Sequence, residues 1–102
     1  MSHPTVVLLV RFKSALPRQE AEKIMNERAP EFRALSGLQQ KFYLEDAATG
    51  EYAGLYLWDS PQDLAAYRDS ELRASIAKAY KALEEPRIEV YKVLMPLRNE
   101  VG

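Results

Sequence analysis

Polar-tipped aromatic and cationic side chains recur at every second position through the middle of this chain. In YAGLYLW (52–58), Tyr52, Gly54, Tyr56 and Trp58 share one parity, and Ala53, Leu55 and Leu57 share the other. Just upstream, LQQKFYLE (38–45) sets Gln39, Lys41, Tyr43 and Glu45 against Leu38, Gln40, Phe42 and Leu44. Period two is the signature of strands whose alternate residues line one face. A face that offers flat rings, hydroxyl tips and an ammonium suits a flat, electron-rich or anionic small molecule, held by stacking and oriented by a few polar contacts. If Leu55 and Leu57 face the helices, Arg11 joins the aromatic set from the run TVVLLVRFK (5–13). Lys92, in RIEVYKVL (87–94), joins it from the last strand, because an unpaired mid-strand ammonium against helices is unfavourable. The same residues also suit a plainer role, with Tyr56 and Trp58 filling a dimer core and Lys41 and Arg11 paired to Glu45 or Glu51.

Other chemistries lack their residues. The chain has no cysteine and a single histidine, His3, so thiolate nucleophiles, disulfides, iron–sulfur clusters, most zinc sites and a serine–histidine–acid set are excluded, and no metal site is expected. There is no glycine-rich phosphate loop. Glu45, Asp46 and Glu51 flank a hairpin and read as solvated turn residues. A net charge of −1 with interspersed signs argues against nucleic acid, although YAGLYLW faintly has the aromatic spacing of an RNA-recognition strand. The run VVLLV (6–10) is too short to span a bilayer and lacks the flanks of a signal peptide, so a cytoplasmic protein without membrane contact is expected.

These side chains must be positioned by one small domain, 1–102, with an apolar fraction of 47% and a charged fraction of 28%, ordinary for a globular protein. Pro17 opens a helix whose stripe Ala21, Ile24, Met25, Arg28, Phe32 and Leu35 continues past Pro30, and Ser36-Gly37 stops it. Pro30 either kinks or breaks this helix. DAATG (46–50) is a hairpin turn. Ser60-Pro61-Gln62-Asp63 starts a second helix, with Leu64 and Tyr67 on its face; after a restart near Ser70, the stripe Leu72, Ile76, Ala79, Tyr80 and Leu83 runs on to Glu85-Pro86. The order strand, helix, strand, strand, helix, strand predicts an α+β, ferredoxin-like βαββαβ fold: a four-stranded antiparallel sheet with two helices on one face. The other face needs a ligand, solvent or a second sheet.

The run SGLQQKFYLEDAATGEYAGLYLWDSPQDLAAYRDSEL (36–72), followed by VYKVL (90–94), resembles the YdhR family of small monooxygenases, within the dimeric α/β-barrel group of antibiotic-biosynthesis-type monooxygenases. The resemblance implies a homodimer joined through the open sheet faces, a pocket between each sheet and its own helices, and an aromatic side of 52–58 that looks into the barrel. Members of the group oxygenate phenols or quinols without metal or flavin, so no cofactor and a small aromatic ligand are implied. In that reading Lys41, Tyr56 and Arg11 are the catalytic donors to a developing oxyanion, Trp58 and Tyr67 are walls, and Tyr43 and Lys92 are further substrate contacts. Haem-degrading relatives carry a tryptophan where Tyr67 stands and a ligating histidine near Ala77, so haem degradation is not implied. No strand carries the asparagine that several cofactor-free members use. The rival reading is a non-catalytic, small-molecule-binding or accessory dimeric barrel, since fold does not fix activity.

Overall fold

Strand β1 (Val6–Phe12) alternates strictly in burial: Val6, Leu8, Val10 and Phe12 are buried, Val7, Leu9 and Arg11 half-buried. The computed structural model, which describes residues 3–98, pairs β1 antiparallel with β3 (Tyr52–Trp58) on one side and β4 (Arg87–Lys92) on the other. Strand β2 (Leu38–Glu45) joins β3 to complete a four-stranded sheet in the order β2-β3-β1-β4. Of the expected domain 1–102, residues 1, 2 and 99–102 lie outside the described ones.

Helix α1 (Arg18–Arg33) follows Pro17, whose carbonyl accepts from the amides of Glu20 and Ala21, and it runs through Pro30 without a break. Gly37 ends the connection at φ +80, the left-handed region, and a Cβ there would collide with the Asp63 carboxyl group. Between β2 and β3, Asp46 Oδ1 accepts from the amides of Ala48 and Thr49, which closes the hairpin.

The second helical region starts as its residues predict. Ser60 Oγ accepts from the Asp63 amide at 3.2 Å and donates to Asp63 Oδ2 at 2.7 Å, opening α2 (Pro61–Arg68). It then departs from the expected long stripe, because α3 (Glu71–Ala74) and α4 (Ile76–Ala79) are separate short turns. Serine hydroxyls compete for the backbone here: Ser70 Oγ donates to the Tyr67 carbonyl and accepts from the Arg73 amide, and Ser75 Oγ donates to the Leu72 carbonyl. Past Ala79 the chain pairs with the loop after β1, the Leu83 amide donating to the Lys13 carbonyl, so Leu83 is 66% exposed instead of continuing the stripe.

The register corrects the expected faces of the sheet. Val6 lies opposite Trp58, Leu8 opposite Tyr56, Val10 opposite Gly54 and Phe12 opposite Tyr52. These residues share the face under the helices, packed with Phe32, Leu64, Tyr67, Ile76 and Tyr80. Leu55 and Leu57 therefore lie on the open face with Val7, Leu9 and Ala53, not against the helices. Both parities of β3 are apolar, so size decides: the wide gap between sheet and helices takes the rings, and truncating one such buried ring costs about 3–5 kcal/mol. The open face remains largely aliphatic, extended by Phe42, Leu44 and Tyr91, which are 48%, 41% and 51% exposed.

Candidate functional site

A break in β2 places the cation at the centre of the site. Leu38 pairs with Trp58 but Gln40 pairs with Leu57, so a bulge at Gln39 shifts the parity between them. Downstream, Lys41 falls opposite Tyr56 and Tyr43 opposite Gly54, both on the helix side. Gly54 leaves the space that Lys41 uses, since a Cβ there would lie 2.9 Å from Tyr56 Cε1 and 3.2 Å from Lys41 Cε. Phe32, one residue before the end of α1, closes over it.

The result is an ammonium in an aromatic cage. Lys41 Nζ lies 3.5 Å from the ring centroid of Phe32, 4.3 Å from that of Tyr43 and 4.6 Å from that of Tyr56. Among the described residues no carboxylate forms an ion pair with it. The charge that acts on it is of like sign: Arg28 sits over the same Phe32 ring at 5.9 Å, its guanidinium donating to Ser75 Oγ at 2.6 Å and to the Leu72 carbonyl at 3.3 Å. Burial, and secondarily Arg28, lower the Lys41 pKa from its ordinary 10.5 to about 7. Near neutral pH this amine exists in both forms.

Behind the cage, the hydroxyls of Tyr56 and Tyr67 meet at 2.9 Å. Burial raises Tyr56 well above the ordinary phenol value and pushes Tyr67 up to about 12, so both remain protonated. In such a pair one hydroxyl donates to the other and the second keeps a free proton. Trp58 stacks on Tyr56 with an interplanar angle of 5° and centroids 6.2 Å apart.

Lys41 borders two spaces. Inward, between sheet and helices, a cavity of about 20 Å³ is lined by Val10, Phe12, Met25, Gly54, Tyr56 and Lys41, room for about one water. Outward, between α1 and β2, a groove of about 310 Å³ is lined by Ala29, Phe32, Arg33, Gln40, Lys41 and Tyr43, a size that suits a small ligand.

The structure brings Lys41, Tyr43, Tyr56, Trp58 and Tyr67 together and separates the other two candidates from them. Arg11 shares the parity of Val7 and Leu9, so it lies on the open face, where it donates to Asp46 Oδ2 at 3.0 Å and Glu51 Oε1 at 3.1 Å. It is no donor to this site. Lys92 pairs with Val6, hence shares the helix-side parity and not the open face, but it stands exposed on β4, the edge strand opposite β2. Trp58 has no exposed surface and backs Tyr56 instead of lining the space. Its indole Nε1 has no acceptor among the described residues.

Glu51 also differs from its reading as a solvated turn acid. It is 5% exposed, and Arg87 donates to both its oxygens at 2.9 and 2.7 Å. Burial pushes its carboxyl up, but the hydrogen bonds from Arg87 and Arg11 outweigh that and hold it below the usual value. Phe32 was the site residue without a sequence signal of its own. Its i+4 spacing from Arg28 on the α1 stripe marks a helix face, but only the register of β2 brings Lys41 beneath it.

No group of three or more histidine, cysteine or carboxylate side chains among the described residues is placed to hold a metal, and no helix among them is long and apolar enough to cross a membrane. The fold is that of the antibiotic-biosynthesis-monooxygenase-type proteins, ferredoxin-like and α+β. SnoaB, a cofactor-independent oxygenase from Streptomyces nogalater, superposes with a TM-score of 0.71 at 17% identity, over 92% of this chain and 97% of its own. NE2512 from Nitrosomonas europaea, a protein of unknown function, superposes with a TM-score of 0.73 at 22% identity, over 98% of each chain. At these identities the likeness establishes the fold alone. The family model described as "Putative mono-oxygenase ydhR" matches residues 7–99, and the chain belongs to that family. Among curated proteins none matches it in sequence.

Proposed function

We propose that this chain is a cofactor-independent monooxygenase acting on a small phenol- or quinol-like compound, bound in the groove between α1 and β2 with its acidic oxygen at Lys41. The supporting observation is the Lys41 amine, held among three ring faces without an ion pair to any carboxylate of the described residues and bordering that groove. A neutral amine takes the proton of a phenol or enol. The ammonium that results then pairs with the oxyanion it has made, where water is scarce and the attraction strong.

For an anthrone-like substrate the atoms balance as follows. Lys41 takes the O–H proton of the enol form, the ring carbon of the resulting enolate forms a C–O bond to dioxygen, and the peroxide oxygen takes the proton back. Loss of water from the C(H)–O–O–H group leaves a carbonyl, so one oxygen ends in the product and the other in water. Tyr43 is a wall of the groove, and Tyr56, whose hydroxyl meets that of Tyr67 behind the cage, gives the amine a ring face backed by Trp58. In the same proposal two copies join through their open faces, which covers Leu9, Leu55, Leu57 and Phe42 and leaves the Lys41 side free for ligand.

Oxygen consumption with a panel of hydroquinones and anthrones, without added metal or flavin, tests the reading. Turnover is expected, with quenching of Trp58 on binding and a loss of about 1–3 kcal/mol in phenolate affinity for Lys41→Met, the range for a hydrogen bond to a charged group. Binding without oxygen uptake across the panel would instead favour the ligand-binding or accessory reading.

A further inference from the structure

We infer that Lys41 is also a carbonyl-capture site, whose amine condenses with small aromatic aldehydes entering the groove between α1 and β2 to form an imine. Lysines that form imines are activated by desolvation in an apolar pocket or by a neighbouring cation. Both conditions meet at Lys41. Phe32, Tyr43 and Tyr56 exclude water from the amine, Arg28 disfavours its charge, and no carboxylate among the described residues restores it. The groove supplies access, and its wall Tyr43 supplies a ring face for an aryl group.

The amine lone pair adds to the carbonyl carbon and gives a carbinolamine. Loss of its hydroxyl with the remaining nitrogen proton, as water, leaves the C=N bond. No redox partner is needed. The lowered pKa, about 7, supports the same reading: near pH 7.4 a substantial share of the Lys41 amine is neutral, against roughly one part in a thousand for an exposed lysine. Lower basicity also lowers intrinsic nucleophilicity, which takes back part of that advantage.

Imine formation needs neither oxygen nor the phenol chemistry proposed above, so each reading can fail alone. The probe is 4-hydroxybenzaldehyde with cyanoborohydride at pH 7.4, which converts each imine to a stable secondary amine, followed by peptide mass mapping. Lys41 is expected to label at least about tenfold faster than Lys13, Lys78 or Lys92, with the α-amino group as an internal reference. Lys41→Arg, folded by circular dichroism, is expected to lose that label and keep the others. Equal labelling across the lysines, or labelling that spares Lys41, would overturn the proposal. The pH–rate profile of the unmodified chain decides the matter even if Lys41→Arg fails to fold: a midpoint near 7 for Lys41 supports it, and a rate still rising above pH 9 refutes it.

Discussion

Replacing Lys41 by methionine is expected to stabilise the fold while removing its chemistry, and pH separates this from ordinary repacking. Between the ordinary 10.5 and about 7 lies about 5 kcal/mol at 1.36 kcal/mol per pH unit. The side chain is only half-buried, so solvent screens part of that, and the ring faces hold the charged form by about 0.5–2 kcal/mol each. The penalty on the charged form is therefore at most about 5 kcal/mol. Below pH 7 the amine is protonated in both the folded and unfolded chain, and the penalty is complete. Between about 7 and 10.5 the unfolded chain holds one more proton than the folded one, so stability rises with pH and the penalty fades. Above 10.5 the amine is neutral in both states.

Methionine has similar length, no charge and a good fit to aromatic surroundings. Urea unfolding at fixed protein concentration should therefore find Lys41→Met more stable by up to about 5 kcal/mol at pH 6, with the difference shrinking towards pH 10. A difference that is constant across pH 6–10 would refute the reasoning, as would a wild type more stable than the variant at pH 6. Either result would mean that the ring faces compensate the desolvated charge in full.

Two further substitutions probe the opposite faces of the sheet. In Gly54→Ala the new methyl group meets Tyr56 Cε1 at 2.9 Å and Lys41 Cε at 3.2 Å, so a loss of about 1–3 kcal/mol is expected, with a change in the Lys41 titration; a neutral variant would show that the cage yields easily. Leu57→Lys puts a charge in the middle of the open face, and sedimentation should find a dimer for the unmodified chain and a monomer for the variant; a stable folded monomer of the unmodified chain at low micromolar concentration would remove the dimer proposal.

The strands and helix starts were legible because their signals are local. The alternation of 52–58, the Asp46 turn and the Ser60-Pro61-Asp63 cap each act within a few residues. The faces were not, because both parities of β3 are apolar and a one-residue change of register exchanges them. Arg11 could be grouped with Val7 and Leu9 from sequence, but relating that group to Tyr56 required the pairing of Leu8 with Tyr56. The end of α4 was hidden for a similar reason: Leu83 leaves the stripe to pair with Lys13, far away in the chain.

The distribution of carboxylates carries the argument for the site. The chain has 15 acidic residues, and its half-buried arginine on the open face receives two of them, Asp46 and Glu51. Glu51 also binds Arg87, and Glu45 binds Arg18, so even the β2–β3 hairpin is rich in partners for cations. Lys41 lies in the same strand as Glu45, yet none of these acids forms an ion pair with it: Asp46 and Glu51 turn to Arg11, and Glu45, at the far end of the strand, turns to Arg18. An amine left unpaired in a sequence with acids so near is a local conflict of the kind that marks functional sites. It also divides the sheet between two tasks: the open face pairs Arg11 and Arg87 with carboxylates and offers aliphatic surface, while the helix side keeps the Lys41 amine without an ion pair among the described residues. A ligand that brings an oxyanion, or a carbonyl carbon, supplies what the fold withholds.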